Sequence, residues 1–377
     1  MVVVKVLQYK SCVLPWISHS IGNLGKVLPC NRFGQNQKLG HQTIGLGGKD
    51  LSEYHHSMPQ RNFVKGKFPE HCNACAYEEQ NGIQSMRQIY NKIYEDVDTS
   101  KIQKLPPRYL EMSFGNINTI ASRHSSPKDS TRWNGVARYL HNEIKYNIDT
   151  FHEWKLEVES IDVDLSEIDR LRFTGEPLQQ SNHEEFLANF VKQNPYSGRV
   201  TVYYETNGFD TPSDKVLELW DHLGSVQICF TVDGVGKMNE YIKPPSNWNQ
   251  VEDNIRWYKQ LQMNNLHLHG SSKISLLNAL DIENIWLWIK DHNIKNWHYK
   301  VVGYPSIMSI SNAPTPYKQQ VKEHLANCVF DTHQLEKTID RIQNPDVWKD
   351  FKKVNKTVDK YWNTSLKYVN ESLWSYT

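Results

Sequence analysis

The chain has 377 residues, with 43 Lys plus Arg against 42 Asp plus Glu and a net charge of +1. That balance gives no broad electrostatic case for a nucleic-acid or membrane partner, and the length allows two or three domains with ample core. No apolar run reaches the roughly 20 residues of a membrane span. The apolar start meets Lys5 too early for a signal peptide, so the chain reads as cytosolic. In a reducing compartment six cysteines are metal ligands, core residues or catalytic thiols rather than a disulfide framework.

Residues 2–7 and 13–17 are short β-like runs, 22–25 a turn, and 25–30 a strand ending at Cys30. Residues 40–48 are a Gly-rich loop. Cys72-Asn73-Ala74-Cys75 precedes Glu78-Glu79 and a helical pattern through Met86, Ile89, Tyr90 and Ile93. With Cys12 and Cys30, the Cys-x2-Cys pair supplies four thiolates. That is the full ligand set of a closed [4Fe–4S] cluster or of a structural zinc, with unligated thiols as the plain alternative. His71 adjoins the pair as a neighbour, because four thiolates already complete the shell. Residues 95–107 are polar, end in Pro106-Pro107 and read as a linker.

From residue 108 strands and helices alternate. The spacing predicts strands at 108–114, 170–173, 200–204, 226–231, 266–276 and 297–302, with helices at 135–146, 186–191, 216–223, 248–261 and 285–289. Strand-helix alternation means parallel strands, with sites at their carboxyl ends. After 313 the chain is helical and polar.

The first of these strands ends in Gly115-Asn116. A loop with Asn118, Ser122 and Ser125 follows, running through Arg123 and a Ser-rich stretch into Trp133. This resembles the first strand and cluster loop of radical S-adenosylmethionine (radical SAM) enzymes, with Asn-x3-Ser-x2-Ser in place of Cys-x3-Cys-x2-Cys. In that family three thiolates hold a [4Fe–4S] cluster and SAM chelates its fourth iron. A Ser hydroxyl or Asn amide is a poor substitute for a soft thiolate. Thr174-Gly175-Glu176-Pro177 resembles the family's Gly-Gly-Glu-Pro, where the carboxylate receives the SAM amino group. Thr231-Val232-Asp233-Gly234 resembles the Ser-Ile-Asp-Gly at the end of the fourth strand, and Glu240-Tyr241-Ile242-Lys243 a downstream Glu-Tyr-Ile-Arg. Thr206, Asn207, Ser275 and Asn278 fall where the family lines the same pocket.

The cysteine pattern before the barrel resembles the SPASM and twitch auxiliary-cluster modules. Its arrangement is similar to phage-type members with a Cys-x2-Cys, Glu-Glu, Ser-x-Arg-Gln run, matched by Cys72, Cys75, Glu78, Glu79, Ser85, Arg87 and Gln88. The resemblance implies an α/β fold: a partial (βα)6 TIM-like barrel at 108–312, a small Cys-rich α+β module at 1–94, the linker at 95–107 and a helical C-terminal extension at 313–377. It implies an auxiliary [4Fe–4S] cluster, with zinc as the alternative, and weak SAM binding. It places the protein in a bacterial or phage-infected cell.

Two functions follow. One is a binding, scaffold or electron-transfer protein that has lost SAM cleavage. The other is an active radical SAM enzyme acting on a peptide or other macromolecule, with cluster ligands from elsewhere. Neither calls for nucleic acid or membrane.

Overall fold

The computed structural model describes residues 11–34, 49–80 and 82–377. The β-like run at 2–7 and the Gly-rich loop at 40–48 lie outside them. Among the described residues the strands are β1 (Ser18–Ile21), β2 (Val27–Leu28), β3 (Tyr109–Ser113), β4 (Arg170–Thr174), β5 (Thr201–Thr206), β6 (Ser225–Thr231), β7 (Leu266–Ile274) and β8 (Lys295–Val301). They form one sheet in the order β2-β1-β3-β4-β5-β6-β7-β8. Only β1 and β2 pair antiparallel; every other pairing is parallel.

Each of β3 to β8 leads into a helix: Trp133–Ile144, Ser181–Gln193, Asp214–Asp221, Trp248–Gln260, Ile282–Asp291 and Thr315–Leu325. These are the six predicted βα units, so the α/β fold with a parallel sheet and a helical C-terminal region is as the sequence pattern requires. Strand alternation explains the packing. Leu110, Met112, Leu171, Phe173, Val202, Tyr204, Ile228 and Phe230 share one core with Val136, Leu140, Phe186, Phe190 and Trp220 of the helices. A fully buried side chain of this size contributes about 1.5–3 kcal/mol. The alternate residues face the other way and are polar. Glu111, Arg172, Tyr203, Gln227 and His267 make one row across five strands.

The N-terminal region differs from its sequence reading. Residues 14–17, expected as β-like, form a helical turn with Pro15 in its first positions, where a fixed φ and a missing N–H are tolerated. The strand begins only at Ser18. It lies parallel beside β3, with Ser18 opposite Tyr109 and Ile21 opposite Met112. Thus the strand expected to be first in the sheet is third in chain order, and the sheet extends into the N-terminal residues. A helix at Lys49–Val64 carries Pro59 within it and was not legible, since its apolar residues follow no clear stripe. A second, smaller core gathers Cys12, Leu14, Trp16, Cys30, Phe33, Phe63, Tyr94 and Tyr109.

The C-terminal helix Pro345–Trp362 starts with Pro at its first position under an Asn344 cap and stops at Asn363, whose φ is 51°. It packs on the helix after β3, which brings it close to the β3 loop.

Candidate functional site

Cys12, Cys30 and the Cys72/Cys75 pair come from three places in the chain and line one small cavity of about 20 Å³ with Leu14, Arg32, Phe33 and Arg87. Local chemistry explains the convergence. Ser85 and Gln88 form a capping box that starts the helix Met86–Ile93. Arg87, on its first turn, donates from Nε and Nη2 to the two Glu79 carboxylate oxygens, at 2.9 and 2.7 Å. The Arg87 Nη1 also donates to the Ser11 carbonyl at 3.1 Å. Asn91 accepts from the Val13 amide at 2.9 Å and donates to the Ser11 carbonyl at 2.6 Å. The segment carrying Cys12 is therefore tied to this helix. Arg32 pairs with Glu78, so both acids of the Glu-Glu pair anchor cations of the cavity wall. His71 stacks on Phe33 at 5.1 Å and is not part of the lining.

The four thiols form no disulfide. Burial, with the neighbouring Cys75, pushes the Cys30 thiol up to about 12. Cys12, Cys72 and Cys75 are raised as well, in each case first by burial. Such thiols ionise only when something cationic compensates, which a bound metal does. Among the described residues, no three His, Cys, Asp or Glu side chains are placed to hold a single metal ion. A single zinc at about 2.3 Å from each sulfur draws its thiolates to within about 4 Å of one another. The four thiols line one cavity, and four thiolates are the donor set of a [4Fe–4S] cluster as well as of a structural zinc.

The β3 loop is held in place throughout. Asn116 donates to the His152 carbonyl at 2.9 Å and accepts from the Trp154 amide at 2.8 Å. A Cβ on Gly115 would sit 2.8 Å from the Trp154 carbonyl oxygen, so only Gly fits there. The indole of Trp133 donates to the Ser122 carbonyl at 2.8 Å. Within this frame the three degenerate positions serve local turns. Asn118 accepts from the Ile120 amide at 2.9 Å, Ser122 from the His124 amide at 3.2 Å, and Ser125 donates to the Ser122 carbonyl at 2.8 Å. Arg123, between the two serines, is fully buried against Asp359.

The predicted pocket residues come together at the carboxyl ends of the strands. Gly175 has φ 73°, and a Cβ there would fall 2.6 Å from the Ser113 hydroxyl. Glu176, with φ 57°, accepts from the Thr206 hydroxyl and the Asn207 amide, both at 2.8 Å. Thr174 reaches the Met112 carbonyl at 3.5 Å, and Pro177 opens a short helical turn. Thr231 donates to the Thr206 carbonyl at 3.2 Å. Asp233 accepts from the Lys273 amide at 2.7 Å. Asn278 donates to the Asp233 carbonyl at 2.6 Å and accepts from the Ser275 amide at 2.7 Å.

Two residues that the sequence reading did not place in this pocket, Lys243 of the Glu-Tyr-Ile-Lys run and His124 of the β3 loop, complete the group. Lys243 is buried, 3.4 Å from Asp233 and bonded to Thr231. His124 meets the Ser275 hydroxyl at 2.9 Å and lies 3.6 Å from Asp233. Burial pushes His124 down, with Asp233 opposing. Burial pushes the Glu176 carboxyl up to about 7 against the pull of Thr206, Lys243 and Asn207. For Asp233 burial loses: Lys243, His124 and Lys273 hold it well below the usual carboxylate range. The signal for Lys243 was its place at the end of Met238-Asn239-Glu240-Tyr241-Ile242, a turn whose other residues are mostly apolar. A lysine there is buried only with an acid partner, and Asp233 is that acid.

No protein-family model matches the chain, and no curated protein does. Among solved structures it is similar to SuiB of Streptococcus suis bound to S-adenosylmethionine, with 7% identity, a TM-score of 0.36, and 84% of this chain and 68% of that chain covered. It is similar to native anSMEcpe with bound AdoMet, at 11% identity and a TM-score of 0.41, covering 62% and 63%. SuiB bound to the precursor peptide SuiA gives 7% identity, a TM-score of 0.36 and coverage of 82% and 69%. These are likenesses of fold alone, and the chain spans about two thirds of the length of each.

Proposed function

We propose that this is a radical-SAM-like protein in which the N-terminal thiol cavity, not the barrel loop, carries the [4Fe–4S] cluster, and that it binds a peptide or passes electrons rather than cleaving SAM. The observation that carries this reading is the convergence of Cys12, Cys30, Cys72 and Cys75 on one cavity. The thiol donors, the apolar wall of Leu14 and Phe33, and the nearby Arg32 and Arg87 suit a buried anionic cluster. When bound, such a cluster supplies one-electron redox chemistry.

The barrel loop offers the opposite donor set. Asn118, Ser122 and Ser125 present hard oxygens, already engaged in turns, and soft thiolates are what an iron–sulfur cluster needs. SAM without an open iron has only the pocket side chains to hold it. Glu176 and Asp233 already have partners of their own there, so SAM binding is weak.

Iron and acid-labile sulfide per chain after anaerobic purification test the reading. About four irons are expected, the content of one [4Fe–4S] cluster, and Cys72→Ala with Cys75→Ala should remove them. With dithionite and SAM the protein should form no 5′-deoxyadenosine. Zinc alone would overturn the cluster, and eight irons or SAM cleavage would overturn the loss of the barrel site.

A further inference from the structure

The polar face of the sheet lends Thr174, Thr231 and Lys273 to the pocket described above, and the rest of it has no role there. Near its end, Lys273 on β7 stands directly opposite Lys300 on β8. Each is the last residue but one of its strand. Parallel sheets bind ligands at such carboxyl ends. Both residues keep exposed surface, though the Lys300 ammonium itself is largely enclosed, and neither has an ion-pair partner among the described residues. The carboxylate that acts on both, Glu205, is already paired with Arg172 at 2.7 Å. Burial pushes the Lys300 ammonium below its ordinary value; Glu205 opposes this, while Arg172, Arg32 and Lys273 add to it.

Like charges facing each other on adjacent strands are destabilising. Folding alone has no use for the second lysine, whereas a site whose anion arrives with a ligand does. The face is also long. From β3 to β8 there are five strand spacings of about 4.8 Å, or about 24 Å in all, the reach of about seven extended residues. Its Tyr, Gln, Ser and His side chains offer partners for peptide amides. At the β3 end Asn31 donates to Glu111 at 2.5 Å, and the adjacent Arg32 lines the cysteine cavity. A small dicarboxylate would cover the two lysines and leave this length bare.

We propose that the polar sheet face binds an extended acidic peptide, with a carboxylate held between Lys273 and Lys300. This deepens the peptide-binding part of the reading above but needs neither cluster nor SAM. Its failure would leave the iron content unchanged, so the two stand or fall separately.

Fluorescence anisotropy of labelled hexaglutamate with the full chain is the test, with hexaglutamine and glutarate as controls. Hexaglutamate should bind, more weakly as salt rises, and hexaglutamine should not. Lys273→Gln and Lys300→Gln should each weaken binding about tenfold, the share of one charged hydrogen bond, and leave the melting midpoint unchanged or higher. Lys273→Glu with Lys300→Glu should reverse the preference toward hexalysine. Absent binding, or binding that ignores both Gln variants, overturns the proposal. So does glutarate competing as well as the peptide, which marks a small-anion site, and so does a lowered melting midpoint in the Gln variants, which marks structural lysines.

Discussion

Arg123→Met tests whether the β3 loop owes its shape to the C-terminal helix. The Arg123 side chain is 0% exposed. It donates to the Tyr241 carbonyl at 2.8 Å, Asn355 Oδ1 at 3.0 Å, Asp359 Oδ1 at 2.7 Å and Thr364 Oγ1 at 2.9 Å, and its guanidinium lies 4.0 Å from the Tyr241 ring centroid. Methionine keeps the apolar stem and removes the charge and every donor. Breaking a buried pair by removing one partner costs about 3–5 kcal/mol, mostly for the charge left behind. Asp359 is 15% exposed and keeps the Thr364 hydroxyl and the Leu366 amide, both at 3.0 Å. Those remaining bonds place the loss near the lower end, about 3 kcal/mol. Urea unfolding followed by tryptophan fluorescence measures it, and a double-mutant cycle with Asp359→Asn isolates the pair. A coupling energy above about 1 kcal/mol is expected for residues in contact within one network. A total loss below about 1 kcal/mol, the scale of a surface pair, would refute the claim that the C-terminal helix holds the loop.

Changing Asn118, Ser122 and Ser125 together to Cys should let the loop take up a second cluster after reconstitution, raising iron from about four to about eight per chain. The turn bonds of Asn118, Ser122 and Ser125 are lost, at about 1 kcal/mol each; a folded variant with no added iron would show that the loop cannot close around a cluster. Glu176, raised in the fold from 4.5 to about 7, binds its proton more tightly folded than unfolded. Its contribution is full below pH 4.5 and is lost as pH rises through 7, about 3 kcal/mol in all. Buried neutral histidines such as His183, lowered to about 3, act in the opposite sense, so the readout is the difference between wild type and Glu176→Gln. The wild type should lose stability relative to the variant between pH 4.5 and 7, and parallel curves would show that Glu176 is not buried as described.

Much of the architecture was legible in the chain itself. Apolar residues at alternate positions, as in Val202 and Tyr204, and helical spacing, as in Phe186 and Phe190, express local periods that need no tertiary partner. What sequence order could not carry was convergence. Four cysteines spread from 12 to 75 line one cavity because Arg87, Glu79 and Asn91 tie the Cys12 segment to a capped helix, and such ties join residues up to 80 positions apart. Strand order was equally hidden: the β-like run was read at 13–17, whereas the strand begins at Ser18, and only its pairing with β3 across the sheet decides that. Lys243 and His124 show the sharpest case. The apolar residues before Lys243 hint at burial, but it is Asp233, at the end of β6, that lets a lysine be buried there.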